Sequence, residues 1–527
     1  MNPVVVPKFF NFATDIFDGW ADSHPDQTAL WCVDGATAAE QKFTFEELSR
    51  LSLQAANVFR AHGLRRGDRV LVMLPRVWHW WVVMLGFTRL GVVPIPATLQ
   101  LMPRDVAYRL QAARIHAVLT NAEGITKMKD FDGLRFCTCT APEGWVDFDA
   151  ALKSASADFS TERTRADDPG ILYFTSATTG APKMVLHTQA SYGLAHRVTG
   201  ELWLDCKPSD LHWNVSDLGW GKAAWSSFFG PWHMGACVFS VDGKFDPARV
   251  LDVLERFPIT TWCVPPTALR MIVRQKLSKR SFPHLRHCVT AGEPLNPETM
   301  RLWKSATGLD LYEGYGQTES VLLIGNFRSR GIAVRPGSMG KPSPGFDLAL
   351  LDQELNEVPD GEEGEIAVRV EPKRPAGLFR EYWRNPEETA AQFQAGWYLT
   401  RDRATRDADG YYWFVGRADD VIKSSGYRIG PFEVESVLVT HDQVIEAAVI
   451  GVPDELRGEV IEAFVVLRDS GQGTEELAAE LQQLVKDKFA AHAYPRRVHF
   501  VEALPKTPSG KVQRYLLRQQ RAETGLP

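Results

Sequence analysis

Residues 171–183 read Ile171-Leu172-Tyr173-Phe174-Thr175-Ser176-Ala177-Thr178-Thr179-Gly180-Ala181-Pro182-Lys183. The first four residues are apolar and predict a buried strand. The loop that follows the strand offers four hydroxyl side chains and a terminal lysine, which suit the oxygens of a polyphosphate. Its spacing differs from that of a Walker A loop, G-x-x-x-x-G-K-[ST]. An ordinary Ser/Thr-rich surface turn is the alternative interpretation of this loop alone.

A second segment combines glycines with aromatic and oxygen-bearing side chains: Tyr312-Glu313-Gly314-Tyr315-Gly316-Gln317-Thr318-Glu319. The two glycines allow a ligand to approach the backbone closely, and Tyr315 offers a ring face to a purine. Thr318 and Glu319 carry oxygen atoms that could hold a phosphate-bound Mg²⁺. The alternative is a tight turn with a solvated glutamate.

Two more polar groups follow towards the C-terminus. Asp402 ends the stretch Trp397-Tyr398-Leu399-Thr400-Arg401-Asp402, and its carboxylate can accept from both hydroxyls of a ribose. Arg417 could donate to the same sugar or to a phosphate, although a structural ion pair with Asp402 is the alternative. Lys511 ends a short loop with two prolines and a glycine, Leu504-Pro505-Lys506-Thr507-Pro508-Ser509-Gly510-Lys511. A solvated tail lysine is the alternative there.

The first half of the chain alternates between helix and strand signals. Thr44 and Glu47 form a T-x-x-E capping box, which predicts the start of a helix. A buried strand is predicted over 69–75, a tryptophan-rich helix over 77–90 and a further strand over 92–95. This alternation predicts an α/β fold with a largely parallel sheet.

The last part of the chain has a different composition. All 16 tryptophans lie at or before Trp413. After it the pattern predicts an α+β unit with helices over 433–439 and 475–489 and strands over 444–452, 460–467 and 498–501. We therefore predict a large, multi-subdomain N-terminal domain over residues 1–418 and a small, mobile C-terminal domain over residues 419–527.

Composition excludes several classes of protein. The chain has 527 residues with 44% hydrophobic and 24% charged residues, typical of a globular protein. A net charge of −6 gives no basic surplus for nucleic-acid binding. Seven scattered cysteines do not form a disulfide framework, and no signal peptide or membrane-spanning run is evident. We expect a cytoplasmic protein, and the sequence leaves a homodimer open.

Together the four segments resemble, in order and essentially from end to end, the adenylate-forming superfamily. This superfamily contains acyl-CoA synthetases, luciferase-like enzymes and peptide-synthetase adenylation domains. The chain is most similar to the medium-chain acyl-CoA synthetases. That narrower resemblance rests on residues 315–319, on Arg335-Pro336-Gly337-Ser338-Met339-Gly340-Lys341 and on Ser424-Ser425-Gly426-Tyr427-Arg428-Ile429-Gly430-Pro431.

The resemblance implies a two-step ligase that uses ATP, Mg²⁺ and coenzyme A. A carboxylic acid, a medium-chain fatty acid or an aryl acid, would react with ATP to give acyl-AMP and pyrophosphate. The thiol of CoA would then displace AMP. Three alternatives stay open: an acyl-AMP ligase that loads a carrier protein, a benzoate-type aryl-CoA ligase, and a non-catalytic nucleotide or acyl sensor.

The resemblance also implies a role for each matching residue. Thr175–Lys183 would cover the β- and γ-phosphates, and Glu313–Thr318 would contact adenine and the α-phosphate. Glu319 would help to hold Mg²⁺, with Thr318 beside it. Asp402 and Arg417 would bind the ribose. Lys511 would bridge the α-phosphate and the substrate carboxylate, and Asp419 aligns with the hinge on which the small domain rotates.

A separate set of residues is implied for CoA binding. It comprises Ser425, Gly426, Tyr427, Arg428, Gln100, Arg457, Lys486 and Tyr494. Arg457 and Lys486 could instead be plain surface charges.

The chain departs from the family pattern at a few positions. Ala177 and Arg401 stand where glycine is usual, and the sequence does not decide what either change does. Gly316 stands where acetate-specific relatives carry tryptophan, which predicts room for an acyl chain longer than acetyl. Lys222 lies among aromatic residues, and it is interpreted either as the partner of a nearby acid or as a group that recognises substrate.

Overall fold

The computed structural model describes residues 4–175, 182–425, 427–454, 456–507 and 510–523. The α-helices run over the following ranges: α1 Asp18–Ser23, α2 Phe45–Ala61, α3 Trp78–Leu90, α4 Pro103–Ala112, α5 Ala122–Ile125, α6 Phe148–Ser154, α7 Gln189–Gly193, α8 His196–Val198, α9 Gly221–Ala223, α10 Gly230–His233, α11 Pro247–Arg256, α12 Pro266–Ile272, α13 Pro297–Thr307, α14 Pro386–Gln392, α15 Pro431–Leu438, α16 Glu475–Lys488 and α17 Arg514–Glu523. Short π-helical turns occupy Ala13–Phe17, Thr199–Trp203 and Ala224–Phe229, and 3₁₀ turns occupy Leu277–Lys279, Arg328–Arg330 and Ser470–Gln472.

The strands of the large domain run over these ranges: β1 Thr28–Val33, β2 Glu40–Thr44, β3 Arg69–Met73, β4 Val93–Pro96, β5 Ala117–Thr120, β6 Leu134–Cys137, β7 Val146–Asp147, β8 Pro169–Phe174, β9 Met184–Thr188, β10 Leu211–Asn214, β11 Cys237–Val241, β12 Thr261–Cys263, β13 His287–Ala291, β14 Leu311–Tyr315, β15 Ile324–Gly325, β16 Ser338–Pro342, β17 Leu348–Leu351, β18 Glu363–Arg369, β19 Glu381–Tyr382, β20 Phe393–Gln394, β21 Trp397–Arg406 and β22 Tyr412–Arg417. Those of the C-terminal part are β23 Ile422–Ser424, β24 Tyr427–Ile429, β25 Val444–Asp454, β26 Gly458–Leu467 and β27 Arg497–Phe500.

The helix and strand predictions for the first half are confirmed in type and position. Glu47 N donates to the Thr44 hydroxyl at 3.2 Å and Thr44 N donates to the Glu47 carboxylate at 2.8 Å, so the predicted capping box starts α2. The helix predicted over 77–90 is α3, which ends at Gly91 with φ +70°. Glycine occupies this left-handed conformation without the steric cost that a Cβ would bring.

Parallel strands form the core of the large domain, as the alternation predicts. A five-stranded sheet has the order β4-β3-β5-β6-β7, with every pair parallel. The largest sheet is parallel from β1 through β11, β10, β12 and β13 to β14, and it continues antiparallel through β15, β16, β22, β21, β18 and β17. This antiparallel half was not predicted from the sequence.

A small three-stranded sheet, β19-β9-β8, lies beside the predicted phosphate loop. The apolar run 171–174 forms most of β8, as predicted, and β8 pairs with β9 in antiparallel fashion. β9 also pairs with β19, Tyr382 facing Val185. This sheet therefore brings two distant parts of the chain to the ends of the phosphate loop.

The C-terminal part has its own sheet and its own core. Its sheet has the order β24-β23-β26-β25, with β27 parallel to β26. Residues from α15, α16 and the sheet pack together, among them Val434, Leu481 and Ala463. The sheet of the large domain ends at Arg417 in β22, and that of the small domain begins at Ile422 in β23. The predicted boundary after residue 418 stays a prediction.

Hydrogen bonds join the two domains in this arrangement. Arg274 Nη2 donates to the Ile445 carbonyl at 2.7 Å, and Asn296 Nδ2 donates to the Ser436 carbonyl at 2.9 Å. All seven cysteines are free thiols. No helix among the described residues combines the length and the apolar character that a membrane crossing requires.

Candidate active site

The turn after β14 carries the predicted Thr318 and Glu319. Phe379 N donates to the Glu319 carbonyl at 2.7 Å, and the hydroxyl of Tyr382 donates to Glu319 Oε1 at 2.8 Å. Burial raises the pKa of the Glu319 carboxyl above its usual value. The turn therefore presents a carboxylate that is held in place by its neighbours and incompletely solvated.

Asp402 lies in β21 directly opposite Arg417 in β22. Its Oδ2 accepts from the hydroxyl of Tyr315 at 2.7 Å and from Gln317 Nε2 at 2.6 Å. Burial raises the pKa of Asp402, and the charge of Arg417 opposes that rise. The structure thus brings the second and third predicted segments together around one carboxylate.

Arg417 does not form the hydrogen-bonded ion pair with Asp402 that the alternative interpretation required. Its Nε donates to Asp419 Oδ1 at 3.2 Å instead. Burial acts to lower the pKa of Arg417, but Asp402 and Asp419 together raise it above its usual value. Arg417 is therefore firmly cationic beside a buried carboxylate and the predicted hinge residue.

The ends of the predicted phosphate loop lie within the described residues, and Ser176–Ala181 lie outside them, so the backbone at Ala177 is not addressed. Thr175 N donates to the Lys183 carbonyl at 2.9 Å, which closes the base of the loop. The Lys183 ammonium forms an ion pair with Glu388 and stands 5.0 Å from the ring centre of Tyr382. Lys183 and Glu319 therefore share a neighbour in Tyr382.

Lys511 lies on a tight loop of the small domain that faces the large domain. Thr507 N donates to the Lys511 carbonyl at 2.8 Å, and Lys511 N donates to the Thr507 hydroxyl at 3.1 Å. A Cβ on the neighbouring Gly510 would lie 3.6 Å from the side chain of Thr267 in α12. Burial, Arg417 and the hydrogen bonds from Tyr315 and Gln317 all influence the pKa of Asp402 more than the charge of Lys511 does. The loop that carries Lys511 meets the large domain at α12.

The space beside Gly316 is smaller than the sequence predicts. A Cβ at Gly316 would lie 2.5 Å from Cη2 of Trp225 and 2.6 Å from the Val321 carbonyl oxygen. The edge of the Trp225 ring therefore fills the room that we expected the glycine to leave. Trp225 belongs to the π-helical turn Ala224–Phe229, and such turns are frequent at functional sites.

The interpretation of Lys222 as the partner of a nearby acid is wrong within the part of the chain that the structure describes. Its ammonium donates to the Ala291 carbonyl at 2.9 Å, and no ion pair is formed there. Burial lowers the pKa of Lys222, because the charged form is poorly solvated. Recognition of substrate by Lys222 stays a prediction.

Arg401 stands at a position where the backbone takes a left-handed conformation, with φ +62°. This conformation explains why glycine is usual there. Its guanidinium donates to the Ala391 carbonyl at 3.0 Å, and its backbone N–H donates to Glu365. The side chain is therefore held at the end of α14 instead of lying over Asp402.

The predicted CoA residues are divided between the domains. Gln100 is exposed in the large domain between β4 and α4, and its backbone N–H donates to Thr98. The remaining described members lie on the small domain, and no hydrogen bond or ion pair joins them to Gln100 in the described ranges. They are Ser425, Tyr427, Arg428, Arg457, Lys486 and Tyr494, while Gly426 lies outside the described residues.

Aromatic contacts organise the small-domain members. The ring of Tyr427 stacks on His492 with centres 3.9 Å apart. The Lys486 ammonium and the Arg496 guanidinium each stand 4.2 Å from the ring centre of Tyr494. Ser425 N donates to the Arg457 carbonyl at 2.8 Å. The sequence predicted these residues individually, but it did not indicate Arg496 or His492.

Tyr382 and Glu388 are the site residues that sequence reasoning missed. Tyr382 contacts Glu319 across 63 positions of the chain, and Glu388 contacts Lys183 across 205 positions. Neither lies in a segment with a recognisable spacing. Contacts between residues so far apart follow from the pairing of β9 with β19, which the local pattern does not indicate.

A large α/β domain with a nucleotide-type site, facing a small domain that presents a lysine, defines the adenylate-forming class of ligases. The chain matches the family of AMP-binding enzymes over residues 17–383 and the C-terminal domain of AMP-binding enzymes over residues 433–511. The chain belongs to this family. The predicted family and fold class are therefore confirmed.

Acyl-coenzyme A synthetases of similar sequence agree with this assignment. The mitochondrial acyl-coenzyme A synthetase ACSM3 of Mus musculus is 46% identical over 533 residues, covering 98% of this chain and 91% of that protein. The mitochondrial ACSM4 of Homo sapiens is 46% identical over 531 residues with the same coverage. The prediction of an acid–thiol ligase of the AMP-forming, acyl-CoA synthetase class is confirmed.

Solved structures show the same architecture. The anthranilate CoA ligase AuaEII in complex with anthranoyl-AMP matches with a TM-score of 0.90 and 30% identity, covering 99% of each chain. A benzoate CoA ligase from Burkholderia xenovorans LB400 matches with a TM-score of 0.85 and 28% identity, covering 97% of this chain and 100% of the other.

Proposed function

We propose that the protein joins a medium-chain fatty acid or an aryl acid to CoA at the expense of ATP. In the first step a carboxylate oxygen attacks the α-phosphorus, and pyrophosphate leaves with the electrons of the broken P–O bond. In the second step the CoA sulfur attacks the acyl carbon, AMP leaves and the thiol proton is released. The observation that carries the proposal is the meeting of two distant segments at Asp402, which accepts from Tyr315 and Gln317 and lies opposite Arg417.

The side chains are suited to binding and orienting ATP, which is where catalysis of this kind gains most. Asp402 would accept from the ribose hydroxyls while Arg417 keeps the carboxylate ionised. Residues Glu313–Thr318 would contact adenine and the α-phosphate, and Thr175–Lys183 would cover the outer phosphates. Lys183 would exchange Glu388 for phosphate oxygens.

The donor set fits a Mg²⁺ ion that arrives with ATP. Thr318 and Glu319 offer oxygen ligands, and within the described residues no group of three or more His, Cys, Asp or Glu could form a closed metal cage. Mg²⁺ usually takes one or two carboxylates together with substrate phosphates. Bound there, the ion would neutralise phosphate charge, and Glu319 would hold it in the orientation that Tyr382 imposes.

Lys511 would supply positive charge where two anions meet. The carboxylate and the α-phosphate repel each other, and an ammonium between them offsets that repulsion. We place CoA on the small-domain set of Ser425, Gly426, Tyr427, Arg428, Arg457, Lys486 and Tyr494 together with Gln100. Because Gln100 is separate from that set here, a rotation of the small domain about Asp419 would be needed to assemble the second site.

The acid is proposed to bind beside Gly316, against Trp225. The ring must turn away if a long chain is to enter, whereas a flat aryl acid would need a smaller movement. The names of the structural neighbours, anthranilate and benzoate CoA ligases, are consistent with an aryl acid. A cytoplasmic location and a homodimer stay predictions, and the mammalian relatives are named as mitochondrial proteins.

A substrate panel tests this proposal. We expect AMP and acyl-CoA to form with at least one of butyrate, hexanoate, octanoate and benzoate, in the presence of ATP, Mg²⁺ and CoA. Folded protein that releases neither product with any of the four acids would overturn the proposal. Acyl-AMP formation without turnover of CoA would instead favour a ligase that loads another acceptor.

A further inference from the structure

The carbonyl of Thr318 receives two hydrogen bonds from residues outside its own segment. His187 Nε2 donates to it at 2.8 Å and the hydroxyl of Tyr192 donates to it at 2.8 Å. The two rings stack on each other with centres 3.6 Å apart and an interplanar angle of 28°. One backbone oxygen at the candidate metal site is thus held from two directions.

The protonation state of His187 follows from its surroundings. The side chain is fully buried, and its two ring nitrogens contact a carbonyl oxygen and a hydroxyl, with no acidic partner among the residues that the structure describes, which favours the neutral ring. A neutral imidazole has one N–H, and a carbonyl can only accept, so the proton must be on Nε2. Nδ1 is then the acceptor for the hydroxyl of Ser191 at 3.0 Å. The Thr318 carbonyl thus determines the tautomer, and the hydroxyl of Ser191 is compatible with it.

Fixing this carbonyl also fixes the residue that follows it. The peptide group between Thr318 and Glu319 is planar, so the direction of the carbonyl determines where the backbone of Glu319 leaves the turn. The Glu319 carbonyl and carboxylate are held separately, by Phe379 N and the Tyr382 hydroxyl. All these contacts come from β9, α7, β19 and the segment before β19. They enclose the turn on both sides of the peptide.

Tyr192 also reaches the candidate acyl pocket. Trp225 Nε1 donates to its hydroxyl at 3.4 Å, and the far edge of the same indole lies against Gly316. The Tyr192 hydroxyl has one proton, which it gives to Thr318, and it accepts from Trp225. A single hydroxyl therefore links the ring beside the acid with the carbonyl beside the metal site.

We infer that His187 and Tyr192 are positioning residues that orient the Thr318–Glu319 peptide for Mg²⁺-bound ATP, with Tyr192 tying that orientation to Trp225. The inference rests on the proposed function. Neither residue touches the reacting atoms, and each acts through the Thr318 carbonyl. Removing either bond leaves the carbonyl with one donor, so the orientation of the peptide is less tightly held and Glu319 meets the ion less well.

Two pairs of variants test the inference. Tyr192→Phe removes only the hydroxyl, and its control is Tyr411→Phe, which removes a hydroxyl-to-carbonyl bond of 3.0 Å to Ala333 elsewhere in the large domain. His187→Gln keeps an N–H donor near the position of Nε2, whereas His187→Leu removes it. Circular dichroism and thermal unfolding establish that each variant is folded.

The readout is the Mg²⁺-dependent part of ATP affinity, measured by calorimetry with Mg²⁺ and with EDTA. The ratio of ATP affinity with Mg²⁺ to ATP affinity in EDTA should be about fivefold smaller in Tyr192→Phe than in the wild type, which is the effect of one hydrogen bond. ATP affinity measured in EDTA should change no more in Tyr192→Phe than in Tyr411→Phe. His187→Gln should retain more of the Mg²⁺ effect than His187→Leu.

Two results would overturn the inference: a loss in Tyr192→Phe no larger than in Tyr411→Phe, or equal behaviour of the two His187 variants. The calorimetric readout does not need turnover of an acid. A wild-type protein that binds MgATP but activates no acid would therefore refute the proposed function, and calorimetry of the variants would still decide this inference.

Discussion

Glu313 and Asp402 are both carboxylic acids buried in the large domain, but their surroundings differ. Asp402 is beside a cation and two hydrogen-bond donors, which favour its charged form. Glu313 receives only the backbone N–H of Leu295, and burial raises its pKa to about 8. Its Oε2 is buried without a hydrogen-bond partner in the described structure. Burial raises the pKa of both carboxyls, but Arg417 and the two donors oppose the rise at Asp402, whereas Glu313 should be largely protonated at neutral pH.

Glu313→Gln should change how stability depends on pH. The unfolded carboxyl titrates near 4.5 and the folded one at about 8, so between these values the unfolded chain binds fewer protons. Glu313 therefore lowers the free energy of unfolding as pH rises through this window. We expect the melting temperature of nucleotide-free Glu313→Gln to rise relative to that of the wild type as the pH increases from 5 to 8.

The magnitude should be on the order of a few kcal/mol at the upper end of that window. Glu462→Gln is the contrast. Burial acts to raise the pKa of Glu462, but His499 and Arg521 lower it to about 2. The effect of this variant on stability should therefore not vary between pH 5 and pH 8. A constant difference in melting temperature between wild type and Glu313→Gln from pH 5 to pH 8 would contradict the expectation.

For single residues, the sequence predicts which side chains lie at the site better than it predicts their burial and contacts. Asp402, Thr318 and Glu319 meet at one site as the motifs indicate. The carbonyl partner of Lys222 and the left-handed backbone of Arg401 were not evident, because each depends on where a distant backbone segment lies. A motif specifies which group is present, whereas burial and long-range contacts determine its charge and direction.

Helices α2 and α3 illustrate how elements are held together near the N-terminus. Arg89 in α3 is fully buried, and its guanidinium donates to both oxygens of Asp18, at 2.8 and 2.6 Å. The same group donates to the hydroxyls of Ser52 and Ser49 in α2. One side chain therefore joins α1, α2 and α3.

Arg89→Leu should destabilise the large domain strongly. It removes the cation beside Asp18 and the donors to Ser49 and Ser52, and loss of one member of a buried ion pair costs about 3–5 kcal/mol. Urea unfolding followed by circular dichroism measures the change. Arg50→Leu, on the exposed face of α2, is the matched control. A shift no greater than that of the control would show that the buried network contributes little.

Elements with a clear apolar period were predictable from sequence, and elements stabilised by pairing were not. Helix α3 and strands β3 and β4 follow from hydrophobic runs, and α2 follows from its capping box. The antiparallel strands β16 to β22 follow no comparable rule, since their order in the sheet is set by partners far away in sequence. The helices and strands of the C-terminal part were predictable because their apolar residues recur with a clear period, as in α16 and β25.

Arg274 and Asn296 hold the two domains together in this structure, and we expect this arrangement to serve adenylation. Lys511→Ala should reduce adenylation severely, because the charge between the two anions is lost. Thioester formation from supplied acyl-AMP should stay largely intact if the small domain presents the proposed second face in that step. Measuring the two half-reactions separately checks this. Equal losses would contradict a division of labour between two faces.

Arg274→Gln should weaken the contact between the large and the small domain. The guanidinium of Arg274 crosses the domain boundary to the Ile445 carbonyl at 2.7 Å. Its loss should lower the rate of adenylation by about two- to tenfold, the range expected for one hydrogen bond. The thioester half-reaction should not slow. Arg301→Gln, whose partner Glu298 is in the same helix, is the control, and a similar loss in that variant would refute the expectation.

The position of the tryptophans has an optical consequence. All 16 lie in the large domain, and the small domain contains none. Intrinsic emission excited at the red edge of protein absorption therefore comes from the large domain alone, and a denaturation curve recorded in this way does not detect the small domain directly. A single indole placed at Phe489, which is 39% exposed after α16, would give the small domain a signal of its own. Its rotation could then be followed in time against sixteen fixed emitters.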